Sequence, residues 1–309
     1  MKLAFVFPGQ GSQSVGMLDS FAENETVQNV LARANAALGE DLAGMIQAGP
    51  AEVLNLTVNT QPAMLTASVA MYEAWCAMGG KKPEIMAGHS LGEYSALTAA
   101  GVFSLEEAVK LVKFRASAMQ EAVPVGVGAM AAVIGLSDEL VQEACAKASD
   151  LGVCEAVNFN SPGQVVIAGA KEAVEKACVE AKALGAKRGL MLPVSVPSHS
   201  SMLKPASDAL RAKLAEVEMA EPTVDVVANI DVVAHKDVAE IREALAQQVS
   251  GAVQWVKTIK SFEEQGVTHI VEVGPGRVLN GLIKRIAPSI EVKNINSQES
   301  LNAVFDELK

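Results

Sequence analysis

Cysteine is scarce in this 309-residue chain, and Cys76, Cys145, Cys154 and Cys178 include no C-x-x-C pair. That excludes a disulfide framework and a thiolate zinc cluster, and the four are expected as buried, reduced thiols. Aromatic residues are few as well: eight Phe, two Tyr and two Trp. Acidic residues outnumber basic ones 36 to 25, for a net charge of −11. A nucleic-acid binder needs a basic footprint and stacking platforms, so nucleic acid is not expected as a partner. The longest run free of polar side chains, Val125 to Leu136, falls far below the ~20 residues that span a bilayer. The apolar start Leu3–Phe7 ends at Pro8-Gly9, too short for a secretion signal. These absences predict a cytoplasmic chain with no membrane partner.

Half of the residues are apolar, enough for a large core, and the length suggests about two domains. Short apolar strands at Lys2–Phe7 and Glu84–Gly88 alternate with helical patterns at Val27–Leu38, Thr60–Met78 and Leu91–Ala100. That alternation predicts a parallel α/β sheet, and Pro62 is expected in a first helical turn. The rhythm changes near Val125. Strands at Gly128–Leu136, Val153–Phe159, Gln164–Gly169 and Gly189–Val196, with helices at Asp138–Ala148 and Lys171–Leu184, read β-α-β-β-α-β, the ferredoxin-like order. Afterwards the α/β pattern resumes with a helix at Met202–Val217, strands at Thr223–Asn229 and Val267–Val273, and helices at Val238–Val249 and Arg277–Ile286. We therefore expect an α/β fold in which residues 1–124 and 196–309 form a large discontinuous domain and 125–195 an inserted small one.

The sharpest chemical signal is Gly88-His89-Ser90-Leu91-Gly92. With a strand before it and a helix after it, G-x-S-x-G makes a nucleophile elbow, placing a serine hydroxyl at a helix N-terminus where free N–H groups stabilise an oxyanion. A serine needs a base. His89 should point away from Ser90, His235 lies in a polar connection and His269 within a strand, which leaves His199 in Pro197-Ser198-His199. The capping box Ser104-Leu105-Glu106-Glu107 starts a helix to about Val123. On it Arg115 faces opposite the polar stripe, among Ala108, Leu111, Val112, Met119 and Ala122. A buried guanidinium needs a carboxylate partner, from the protein or from a substrate. Backbone N–H groups of the Gly9-Gln10-Gly11 loop could join that of Leu91 around an oxyanion. Gly126-Val127-Gly128-Ala129-Met130-Ala131 matches a dinucleotide fingerprint but leads into a strand, so its context fails.

Together, Val6-Phe7-Pro8-Gly9-Gln10-Gly11-Ser12-Gln13, the elbow continued by Glu93-Tyr94, Asn158-Phe159-Asn160-Ser161-Pro162-Gly163-Gln164, Pro197-Ser198-His199 and Glu272-Val273-Gly274-Pro275-Gly276 resemble the malonyl-CoA:acyl-carrier-protein transacylases, over the whole chain and in order. The resemblance implies a hydrolase-like parallel-sheet core with a ferredoxin-like insertion. It implies Ser90 as acylated nucleophile, His199 as base and then acid, and Arg115 as the ligand of the malonyl carboxylate. Backbone N–H groups of Gln10 and Leu91 would form the oxyanion hole, and a glutamine main-chain carbonyl, at Gln248 or its neighbour Gln247, would orient His199. The implied partners are malonyl-CoA, CoA and acyl carrier protein, with no metal or redox cofactor and a monomeric chain. A polyketide-serving transferase and a serine hydrolase are the alternatives. Lys187, Arg188, Lys284 and Arg285 are expected to form a local basic patch for the carrier, which the overall charge would otherwise repel.

Overall fold

The computed structural model describes residues 1–194 and 196–308. Its strands, numbered along the chain, are β1 (Leu3–Phe7), β2 (Ile85–Gly88), β3 (Gly128–Ile134), β4 (Cys154–Ser161), β5 (Gln164–Ala170), β6 (Arg188–Met191), β7 (Asp225–Val227), β8 (His269–Val273) and β9 (Glu291–Ile295). Five form one sheet in the order β7-β2-β1-β8-β9, every pair parallel. All five residues of β1 are fully buried. Leu3, Phe5 and Phe7 join one apolar cluster and Ala4 and Val6 another on the opposite face. Both faces are thus covered, as a parallel sheet requires. The chain steps from β1 outward through β2 to β7, then returns to β8 and β9 on the other side. Ligands bind at such a switch, beyond the carboxyl ends of the strands.

The other four strands form an antiparallel sheet in the order β4-β5-β3-β6. The helices Asp138–Lys147 and Lys171–Ala183 cover one face through a core of Val133, Val141, Ile167 and Val174. The β-α-β-β-α-β order matches the expectation from sequence. The helix-capping serines are also where the sequence places them: Ser104 accepts from the N–H of Glu107, and Ser137 from that of Leu140.

Several expectations need correction. β6 ends at Met191 rather than Val196, because it is an edge strand whose only partner among the described residues is β3; the expected seam at Ser195 lies outside the described residues. Helix Thr57–Ala77 begins three residues early, so Pro62 sits inside it, where it cannot donate to the carbonyl of Val58. Cys145 and Cys178 are buried, but Cys76 is exposed at a helix end. The sequence reading also passed over helix Trp255–Glu264, strand β9 and the final helix Gln298–Leu308. No helix among the described residues is long and apolar enough to cross a membrane.

Candidate active site

The elbow is built on close backbone approach. A Cβ at Gly88 would lie 1.8 Å from the carbonyl carbon of Gly92, and one at Gly92 would lie 2.1 Å from the carbonyl oxygen of Phe7. Only glycine at both positions lets helix Gly92–Ala99 start so tightly against β1 and β2. Ser90 itself is held at φ 53°, a left-handed conformation that a non-glycine residue adopts at a cost of about 1–3 kcal/mol.

His199, buried and also left-handed at φ 66°, places Nε2 2.7 Å from Ser90 Oγ. Its Nδ1 lies 2.7 Å from the main-chain oxygen of Gln248. A carbonyl only accepts, so Nδ1 carries the hydrogen and Nε2 is left to accept the Ser90 hydroxyl proton. The carbonyl is that of Gln248, whereas Gln247 turns its side chain outward to Glu243. Burial first, and the Arg115 charge second, push His199 down to about 3. The imidazole is neutral at physiological pH and free to take a proton.

Arg115 comes from helix Leu105–Ala122 and is 1 % exposed, as its helical phase predicts. No carboxylate touches it among the described residues. Nη1 donates to Gln61 Oε1 at 2.8 Å, Nη2 to Gln248 Oε1 at 2.9 Å and to Ser90 Oγ at 3.4 Å. The guanidinium stacks on Tyr94, 5.3 Å from the ring centre. Its nearest negative charge is indirect: Glu93 Oε2 accepts from the Gln248 side-chain amide at 2.8 Å. Burial pushes Glu93 up to about 7, against the pull of that amide and of the Asn229 N–H. A cation that is almost fully buried, held by two neutral amides and aimed at the serine, is poised for an anion.

The glycine-rich loop after β1 closes the other side. A Cβ at Gly9 would lie 2.5 Å from the His89 carbonyl oxygen and 3.8 Å from the Leu91 nitrogen, so the loop backbone rests directly on the elbow. The N–H groups of Gln10 and Leu91 take no part in the backbone hydrogen bonds of the described residues, and the Gln10 side chain is directed to Thr57. Among the described residues, no group of His, Cys, Asp or Glu is placed to hold a metal ion.

The remaining histidines lie elsewhere. His89 bonds Asn160 at 2.7 Å and packs on Trp255, pointing away from Ser90. His235 sits between Asp231 and Glu240, and His269 against Glu291. A cavity of about 430 Å³ opens on His199 between β4, helix Asp138–Lys147 and the 250–252 loop. At its edge the Glu155 carboxylate takes both the N–H and the hydroxyl of Ser201 at 2.7 Å, tying the segment after His199 to the small sheet. The sequence reading missed Gln61, Glu93 and Asn229. Glu93 was visible as part of the elbow motif and as a charge inside an otherwise apolar helix start, without a role assigned to it.

The acyl transferase domain family matches residues 4–303. The chain is 54% identical over 305 residues to the malonyl CoA-acyl carrier protein transacylase of Salmonella typhimurium, covering 98% of this chain and 99% of that one. Among solved structures it is similar to an acyl-carrier-protein S-malonyltransferase from Burkholderia pseudomallei, with TM-score 0.98 and 56% identity over 99% of this chain and 100% of that one. It is similar at TM-score 0.98 and 48% identity, again over 99% and 100%, to a malonyl-transacylase solved in complex with a type II polyketide acyl-carrier protein.

Proposed function

The chain belongs to the acyl transferase family, and from that premise we propose that it moves a malonyl group from malonyl-CoA to the phosphopantetheine thiol of acyl carrier protein, supplying fatty acid synthesis in the cytoplasm. The observation that carries the reading is the nearly buried Arg115 guanidinium, unmatched by any carboxylate among the described residues and 3.4 Å from Ser90 Oγ. A serine hydrolase has no use for a cation at that point, whereas an acyl group ending in a carboxylate does.

In this reading Ser90 Oγ gives its proton to His199 Nε2 as it attacks the thioester carbonyl. The N–H groups of Gln10 and Leu91 receive the oxyanion, aided by the N-terminal dipole of helix Gly92–Ala99. Collapse breaks the carbon–sulfur bond, and the CoA sulfur leaves with the proton from His199, so a malonyl ester remains on Ser90. The carrier's thiol then delivers its proton to the same nitrogen and attacks the ester. The second collapse returns the proton to Ser90 Oγ. Arg115 holds the carboxylate through both steps, and the Gln248 carbonyl keeps the imidazole in its Nδ1–H tautomer. The cavity on His199 is where we place the pantetheine arm. The chemistry calls for no metal or redox cofactor, and one chain supplies every group, so the monomer is the working unit.

Intact-protein mass spectrometry after brief mixing with malonyl-CoA tests the reading. A malonyl adduct mapped to Ser90, with little acetyl adduct from acetyl-CoA and discharge by carrier protein, is expected. Steady CoA release with no adduct and no carrier product would make the chain a hydrolase. Discharging the adduct to a fatty-acid carrier and to a polyketide carrier in parallel separates the two pathways.

We place carrier docking at the end of the small sheet where Arg188 pairs with Ile134, Ile134 with Gln164, and Gln164 accepts from Arg285 at 2.9 Å. Lys187 and Lys284 neighbour the two arginines along the chain, and all four are exposed. Charge reversal of Arg188 and Arg285 should slow carrier-dependent discharge about tenfold or more at low salt and leave malonyl loading unchanged. An effect on loading, or none on discharge, would exclude this surface.

A further inference from the structure

β7 pairs with β2 only as far as Val227 opposite Ala87. One residue further on, Gly88 has β1 on one side and, among the described residues, no strand on the other, at the point where the chain turns into the strained Ser90. Asn229, fully buried two residues past the end of β7, fills that gap with its side chain. Its Oδ1 accepts the Ser90 N–H at 2.7 Å, and its Nδ2 donates to the Gly88 carbonyl at 2.6 Å. Asn229 is itself pinned: its N–H donates to Glu93 Oε2 at 3.0 Å, and its carbonyl accepts the Gln254 N–H at 3.0 Å.

We infer that Asn229 is a positioning residue for the nucleophile, its amide closing the backbone of the elbow between Gly88 and Ser90. The inference rests on the acyl-transfer reading of Ser90. A left-handed serine persists only where its surroundings over-determine it, and here one amide satisfies both the donor and the acceptor that the ladder leaves open. The same clamp commits the Ser90 N–H, leaving the next amide, that of Leu91, to face an oxyanion. It also links the elbow to the base, because the carboxylate that holds Asn229 also holds the Gln248 amide, while the Gln248 carbonyl holds His199. Without the clamp, Ser90 Oγ loses its fixed approach to His199 Nε2, but the carboxylate subsite at Arg115 is untouched.

The test is Asn229→Asp in the full chain, with Ser90 loading by malonyl-CoA followed by rapid quench and mass spectrometry. Ionised, the new carboxylate faces the Gly88 carbonyl with an acceptor where a donor is needed; protonated, it reproduces the donor and acceptor of asparagine. The charged groups around position 229 are Glu93 on its N–H, Asp231 two residues on and Arg115 beyond Gln248; all are present in both proteins. Loading should be at least 100-fold slower than wild type at pH 8, and the variant-to-wild-type ratio should rise at least tenfold by pH 5. Malonyl-CoA affinity, measured with Ser90→Ala in both backgrounds, should stay within about twofold. A ratio independent of pH, wild-type loading at pH 8, or affinity falling in step with loading would each overturn the inference. Should the variant fail to fold, amide exchange in the wild-type protein decides: the Ser90 N–H should exchange as slowly as that of Ala87 in β2, and rapid exchange would overturn the clamp. A wild-type protein that takes no malonyl group at all would refute the proposed function instead, leaving exchange to judge the clamp.

Discussion

Replacing Arg115 by alanine is expected to slow malonyl loading of Ser90 by about a hundredfold to a few thousandfold while acetyl loading holds or rises. The size follows from what the malonyl carboxylate meets. In the proposed reaction it enters a nearly buried site and pairs with a guanidinium already oriented by Gln61 and Gln248. In the variant the same carboxylate is buried without a partner, a loss of about 3–5 kcal/mol, or a hundredfold to a few thousandfold in rate. Acetyl has no charge to strand. Its loading gains on two counts: the Arg115 charge no longer depresses His199, and the guanidinium no longer donates to the Ser90 Oγ lone pairs that attack the thioester. Glu93 loses a nearby cation, so its carboxyl moves further upward and takes a proton at neutral pH instead of remaining a bare buried charge. The fold should therefore survive, which thermal unfolding of the variant checks alongside loading rates for both thioesters. An equal loss for malonyl and acetyl would make Arg115 a structural cation.

What the sequence disclosed about this site was local, and what it concealed was distant. The elbow could be read because Gly88 and Gly92 flank Ser90 within five residues, between a strand and a helix. Arg115 could be read because helical phase turns it away from Glu106, Lys110 and Lys113. His199 followed from elimination among four histidines. Asn229 and Gln61 could not be found that way. Asn229 is 139 residues from Ser90 along the chain, and a neutral amide among apolar neighbours carries no periodic signal. The expected strand Thr223–Asn229 shows the difficulty, since the apolar run continues past Val227 while the ladder stops, freeing Asn229 to face the elbow. The fold was legible for the same reason in most elements and failed at edges. β6 and β9 each have a single partner among the described residues, so their limits depend on tertiary contact more than on pattern. Helix Trp255–Glu264 did carry a readable i, i+3, i+4, i+7 stripe of Trp255, Thr258, Ile259 and Phe262, which the alternation of strands and helices overshadowed.

Replacing His199 by alanine is expected to slow loading about 10³- to 10⁴-fold, and its pH signature separates a base from a packing residue. Wild-type loading should stay level from pH 8 to pH 5, because burial and Arg115 keep the imidazole unprotonated down to about 3. An ordinary histidine base would begin to fail near 6.5. Stability carries a second signature, with two groups of residues opposed. His199 and His89 are both pushed below 6.5 by burial, so beneath that pH the unfolded chain binds protons that the native chain refuses. Their contribution is complete above 6.5 and is lost as pH falls. Glu93 and Glu272 are pushed from 4.5 to about 7 by burial, so their contribution is complete below 4.5 and is lost as pH rises through 7. Between 4.5 and 6.5 the two sets work against each other, and the wild-type stability should change little. Removing His199 withdraws one proton from the histidine side, a slope of at most about 1.4 kcal/mol per pH unit. The variant should then gain stability relative to wild type as pH falls across that window, whatever the cavity costs at pH 8. Denaturant unfolding of both proteins at pH 8, 6.5, 5.5 and 4.5 measures the difference. Parallel curves would mean that the native His199 takes its proton as readily as the unfolded chain does, and the level loading rate expected down to pH 5 would fall with it.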